Sequence, residues 1–133
     1  MGREFKLSTN AISKATEEFV ELARRSFPGI ESIVIFGSIA RGVGNKESDI
    51  DVLVIAKDQR IQKELAYLSF DLTLKYGEVF EVVVRTPQQI KELIRLGSPF
   101  IDAVISEGVI VYGTEAFKRT CREGTGIIRG IPS

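Results

Sequence analysis

The chain has 133 residues, 44% of them hydrophobic and 27% charged, and its eighteen basic residues are balanced by eighteen acidic ones. This is enough for one soluble globular domain with a real core, and it excludes a disordered or membranous chain. The absence of net charge argues against strong nucleic-acid binding through a basic surface, and the absence of histidine removes Ser-His-Asp and Cys-His catalysis and histidine-ligated zinc, so carboxylates must carry any chemistry.

In chain order, Met1 to Ser8 is polar, and Ser8 or Thr9 is expected to cap a helix whose apolar positions are Ile12, Ala15, Phe19, Leu22 and Ala23. Arg24 and Arg25 fall in its last turn and Phe27-Pro28-Gly29 ends it. Ile33 to Phe36 is a continuous, mostly β-branched run, as in a buried strand, and it stops at Gly37-Ser38. A second strand covers Asp49 to Ile55. After a polar turn at Lys57 to Gln59, Ile61, Leu65, Leu68 and Leu72 predict a second helix of about four turns, closed by Gly77. Val79 to Val84 reads as a strand interrupted by Glu81, and Gln88 to Leu96 as a third helix with Pro87 in its first turn and Ile90, Leu93 and Ile94 on its buried side. A short helix over Phe100 to Ile105 and a last strand over Val109 to Tyr112 follow. These elements place one domain over residues 1–113. A helix from Ala116 to Arg122 is expected beyond it, with Gly124, Gly126, Gly130 and Pro132 marking a flexible tail within 114–133.

The chemistry concentrates between the first two strands. From Gly37 the chain can enter a helical turn through Ser38-Ile39-Ala40-Arg41, whose free N–H groups, with the Ser38 hydroxyl, can hold phosphate oxygens. Asp49 and Asp51 stand at alternate strand positions, so their side chains leave one face about 7 Å apart. Two such carboxylates repel each other, and a bound Mg²⁺ or Mn²⁺ removes that cost; Mg²⁺ is usually held by one or two carboxylates together with substrate phosphates. Glu81 inside six apolar positions is a costly choice for a purely structural strand, with Glu78 as the competing carboxylate; the two differ by an odd number of residues and face opposite ways in a regular strand. Each feature has a plain structural reading as well. Gly37-Ser38 can be a strand-ending turn, Asp49 a cap, Ser48 a turn residue, and Arg41 either a phosphate contact or a partner of Asp49 or Glu47. Other phosphate loops fit badly, since Val43-Gly44 stands where a Walker loop needs Lys-Ser/Thr, and no G-x-G-x-x-G occurs.

Gly37-Ser38, ten intervening residues and Asp49-Ile50-Asp51 between apolar strands resemble the signature of the DNA polymerase β-like nucleotidyltransferase superfamily. The fuller GSIARG…SDIDVLV, with the ending SPFIDAVISEGVIVYG, is similar to its smallest branch, the minimal nucleotidyltransferase (MNT) proteins. The resemblance implies an α/β nucleotidyltransferase fold with a small mixed β-sheet, helices mainly on one face, and a nucleotide cleft at the strand ends. It implies transfer of a nucleoside monophosphate, AMP above all, from ATP or another NTP to a hydroxyl, with release of pyrophosphate. Asp49, Asp51 and Glu81 would be the catalytic carboxylates and would hold two Mg²⁺ or Mn²⁺ ions; Glu81 stands where the family usually has Asp. Gly37, Ser38 and Arg41 would bind the nucleotide. MNT proteins are typically paired with a small helical HEPN protein, a toxin that some of them adenylylate on tyrosine, so the implied role is that of an antitoxin. The alternatives are a non-catalytic antitoxin subunit that neutralises by contact, and an enzyme modifying a small-molecule hydroxyl such as an aminoglycoside. The expected setting is cytoplasmic, without a membrane partner, with Cys121 inert and self-association allowed.

Overall fold

Four strands, β1 (Ile30–Phe36), β2 (Ile50–Ala56), β3 (Phe80–Arg85) and β4 (Val109–Tyr112), form one mixed sheet in the order β3-β2-β1-β4 in the computed structural model, which describes residues 12–37 and 49–129. β1 is antiparallel to both β2 and β4, and β2 is parallel to β3. The central strands are apolar on both faces, and each face needs a cover. Helices α1 (Lys14–Ser26) and α2 (Gln62–Tyr76) cover one, with Phe19, Ala23, Leu65 and Leu72 packed on Ile33, Ile35, Val52 and Val54. Helices α3 (Pro87–Arg95), α4 (Pro99–Glu107) and α5 (Thr114–Arg129) cover the other, where Ile90, Ile101, Val104 and Phe117 meet Val34, Leu53 and Ile55. The mixed α/β fold is as expected. The placement of helices mainly on one face is corrected: Val34, Leu53 and Ile55 point away from α1 and α2, and three helices gather over them.

Local sequence chemistry fixes most boundaries. The first helix begins at Lys14, where the Ser13 hydroxyl accepts the Thr16 N–H at 3.1 Å, and not at Ser8 or Thr9, which lie outside the described residues. Gly77 closes α2 in the left-handed conformation at φ +78°. Thr86 and Gln89 form a reciprocal capping box at α3 with Pro87 in its first turn, and Ser98 with Pro99 starts α4.

Two features depart from what local propensity favours. The expected flexible tail is helical to Arg129: α5 runs through Gly124 and Gly126 without a break. Gly124 is buried against α3, where an added Cβ would sit 3.2 Å from Lys91 Cα, and Lys91 Nζ pairs with Glu123 at 2.7 Å. Here a glycine that weakens the isolated helix lets two helices approach. The free edge of β3 is sealed by side chains instead of a further strand. The Gln62 amide donates to Val82 O at 2.8 Å and accepts from Val84 N–H at 3.1 Å, as a neighbouring peptide would, and Gln59 donates to Val84 O at 3.3 Å. Among the described residues no helix is long and apolar enough to cross a membrane.

Candidate active site

The end of the sheet where β1 finishes and β2 and β3 begin carries the carboxylates singled out in the sequence. Asp51 is the second residue of β2, flanked in register by Phe36 on antiparallel β1 and by Glu81 on parallel β3. Directly opposed residues of neighbouring strands share a face, so Phe36, Asp51 and Glu81 form one row across three strands. The next row inward, Val34, Leu53 and Val83, lies under α3, α4 and α5. Asp49 lies just before β2 and is exposed, as is Glu81, while Asp51 is half-buried.

Among the described residues no cation pairs with these carboxylates. Burial raises the Asp51 carboxyl above the usual aspartate range, and the negative charges of Glu81 and then Asp49 raise it further. Glu78 goes elsewhere: its carboxylate accepts a 2.8 Å hydrogen bond from the Ser13 hydroxyl at the start of α1. Glu81, and not Glu78, is the carboxylate beside Asp51.

Gly37 ends β1 at φ +82°, and a Cβ built there would overlap Asp51 Oδ2. The glycine is therefore needed twice, for its left-handed backbone and for the space that the Asp51 carboxylate occupies. Gly37→Ala is expected to displace that carboxylate. Activity that depends on Asp51 should fall at least about a hundredfold, against a stability loss of only about 1 kcal/mol from the backbone strain, measured as transfer rate beside urea unfolding. Ser38 and Arg41, and with them the helical turn expected after Gly37, lie outside the described residues.

The aromatic neighbours of this site were not legible in the sequence. Phe36 meets Phe100 of α4 edge to face, with ring centroids 5.4 Å apart. The pair forms a half-buried apolar wall beside Asp51, and its only sequence signal is an aromatic at the last position of an aliphatic strand.

Among the described residues no three His, Cys, Asp or Glu side chains converge into a metal cage. The three carboxylates nevertheless suit a hard divalent cation. Asp51 is half-buried beside two like charges, and Mg²⁺ is commonly shared between one or two carboxylates and the phosphates of a nucleotide. The donor set fits an ion completed by a ligand better than one held by protein alone.

A family model described as a nucleotidyltransferase domain matches residues 13–111, which includes all four strands except the last residue of β4. The chain belongs to the nucleotidyltransferase domain family. It is 35% identical over 103 residues to a Methanocaldococcus jannaschii protein named "Putative protein adenylyltransferase", an alignment covering 74% of this chain and 96% of the relative. A second protein of that organism with the same description is 28% identical over 112 residues, 80% of this chain and 75% of its own. The nucleotidyltransferase domain also shares its fold with a chain in a crystal structure of a toxin–antitoxin with AMP-PNP, at a TM-score of 0.60 and 18% identity over 89% of each chain. A chain of the tri-AMPylated Shewanella oneidensis HEPN toxin in complex with MNT antitoxin matches with a TM-score of 0.55 and 17% identity, over 87% of this chain and 85% of that one.

Proposed function

We propose that this nucleotidyltransferase domain is a metal-dependent protein adenylyltransferase that moves AMP from ATP to a hydroxyl of a partner protein, and that the partner is a small helical toxin of the HEPN type which the modification silences. The observation that carries the reading is the row in which Asp51 stands beside Glu81 with Asp49 next to it, at a strand end closed by Gly37. The descriptions of the M. jannaschii relatives support AMP as the group moved. The toxin–antitoxin complexes among the structural neighbours, one of them with an AMPylated toxin, support the partner.

In this reading Asp49, Asp51 and Glu81 hold Mg²⁺ or Mn²⁺, two ions in all, while Gly37, Ser38 and Arg41 position the triphosphate. Bound ions of this kind supply positive charge that lowers the pKa of an acceptor hydroxyl and neutralises a leaving pyrophosphate. The acceptor oxygen forms a bond to the α-phosphorus, the bond from that phosphorus to the β-phosphate oxygen breaks, pyrophosphate leaves with the electron pair, and the hydroxyl proton passes to water. Glu81 lies on the edge strand β3 beside Asp51, and in this reading it holds the ion nearer the acceptor. Its side chain is one methylene longer than the aspartate usual in this family, which lets the carboxylate reach inward from the edge.

The test is mass spectrometry of this chain co-expressed with the protein encoded beside it. One or several AMP additions on the partner are expected, with tyrosine the first choice of site. Glu81→Gln should lower the transfer rate at least about a hundredfold while leaving the fold intact. Neutralisation of the partner with no mass added would overturn the enzyme reading in favour of a binding subunit, and full activity in Glu81→Gln would remove Glu81 from the site.

A further inference from the structure

On the face of the sheet to which Asp51 points, its two neighbours in register differ in kind. Toward β3 stands Glu81. Toward β1 stands Phe36, whose ring meets that of Phe100 with centroids 5.4 Å apart and planes 83° apart. The row further in, Val34, Leu53 and Val83, is taken up by the helices that pack there. Phe36 and Phe100 are each only half-buried, so an aromatic surface beside Asp51 stays open to solvent.

The same end of the sheet carries a second aromatic pair on its other face, and that pair is closed. Phe80, in register with Ile50, stacks on Phe19 of α1 with centroids 5.3 Å apart, and the two are 8% and 0% exposed. Phe19 and Phe80 are core. An edge-to-face contact such as that of Phe36 with Phe100 occupies only one ring face of the pair, which leaves ring surface for a third planar group. Phe100 is also held in place. Ser98 and Pro99 fix the start of α4, Ile101 and Val104 are buried against the sheet, and Gly108 ends the helix where a Cβ would lie 2.7 Å from Val34 Cγ1.

We propose that Phe100, backed by Phe36, carries the base of the nucleotide, a planar heteroaromatic ring stacked on the phenyl ring. The inference rests on the adenylyltransferase reading and adds to it the residue that holds the nucleoside. Asp51 Oδ2 fills the space that a Cβ on Gly37 would need, so the carboxylate leans toward β1, the strand of Phe36. In that reading the acceptor enters on the Glu81 side and pyrophosphate leaves on the Gly37 side. The ribose oxygen of the α-phosphate is neither the entering nor the leaving group of an in-line displacement, so the nucleoside lies to the side of that line. Helix α4 stands over this face, with Phe100 in its first turn. Stacking reads ring area and not hydrogen-bond pattern, so this wall favours purine over pyrimidine nucleotides and leaves the choice between ATP and GTP to other groups.

The experiment titrates the full chain with Mg-ATP and with magnesium tripolyphosphate, which keeps the three phosphates and has no base. Phe100→Leu retains an apolar side chain at the start of α4, and urea unfolding checks that the variant is folded. It should bind Mg-ATP about tenfold more weakly than the parent and tripolyphosphate equally well. The chain has no tryptophan, so Phe100→Trp supplies a single reporter. Its emission should change on adding Mg-ATP or Mg-GTP, change less with Mg-CTP, and stay the same with tripolyphosphate. If the parent binds Mg-ATP and Phe100→Leu binds both ligands as the parent does, the base lies elsewhere and the adenylyltransferase reading stands. Equal weakening of both ligands would mark Phe100 as support for the shape of the site and overturn the inference. So would a loss confined to KM for the acceptor protein, which would give the ring to the acceptor. A parent that binds neither ligand overturns both readings together.

Discussion

Asp51→Asn is expected to abolish nucleotide transfer, by at least about a thousandfold, and at the same time to make the nucleotide-free protein more stable. The two effects have one cause. Asp51 is half-buried, with Glu81 in register on one side and Asp49 nearby, and its carboxyl is raised above the ordinary aspartate range first by burial and then by those two charges. A carboxyl whose folded pKa is raised holds its proton more tightly in the native state than in the unfolded chain. Stability therefore falls as pH rises from the unfolded value of 3.8 through the raised native value, and above that value the full cost of the charged form is present. Asparagine removes that cost. Because solvent reaches part of the side chain, the gain should be modest, about 0.5–1 kcal/mol, or about 2–4 °C in melting temperature. The variant should also lose the rise in melting temperature that Mg-ATP gives the parent, since a ligand that binds only the native state stabilises by mass action. Thermal melts of both proteins with and without Mg-ATP check each part. An Asp51→Asn protein that is less stable than the parent without ligand, or that still responds to Mg-ATP, would show that the repulsion described here is not the one that matters.

Gly113→Ala should be the most damaging single-methyl change among the described glycines. Gly113 leaves β4 at φ +74°, its carbonyl accepts the Ser32 hydroxyl at 2.8 Å, and a Cβ there would overlap Glu31 O and lie 2.9 Å from Glu31 C. The atoms it meets are backbone of the central strand, which cannot swing aside. Backbone strain of about 1 kcal/mol and the clash add, and we expect a loss of about 3–4 kcal/mol in urea unfolding. Gly77→Ala separates the two terms. Gly77 has nearly the same backbone, at φ +78°, but nothing lies within 4 Å of its added Cβ, so only the cost of about 1 kcal/mol from strain should appear. Equal losses at the two positions would mean that the contact with Glu31 is easily relieved.

The placement of the carboxylates was partly legible in the sequence, because strand parity is local. Asp49-Ile50-Asp51 reads as two carboxylates on one side of a strand from the period of two alone, and the same parity separates Glu81 from Glu78. What parity cannot say is which strand lies beside which. That Glu81 stands opposite Asp51 depends on β2 and β3 being parallel neighbours, and the sequence supported that only through a family resemblance. The misjudged features share a reason: each is decided by a contact distant in the chain. Helices on both faces follow from Val34, Leu53 and Ile55 needing cover, which the continuous apolar runs implied without saying where the cover would come from. The helix through Gly124 persists because α3 packs against it, although local propensity argues for a break. The cap at Ser13 is tied to a distant residue too, since its hydroxyl also reaches Glu78, sixty-five residues away. The closeness of Gly37 to Asp51 is likewise visible only with β1 and β2 side by side.

The strand order also bears on how this protein is made. β1 and β2 are almost wholly apolar and can pair as soon as both have left the ribosome, but the outer edge of β1 is covered by β4, which lies beyond α4 and far along the chain from β1. Until β4 is made the nascent chain therefore carries a hydrophobic strand with an open edge, the kind of template on which chains aggregate. The opposite edge of the sheet is closed early, because Gln62 precedes β3 and is ready to seal it as it forms. Emergence of β4 is thus the moment at which this sheet passes from sticky to safe.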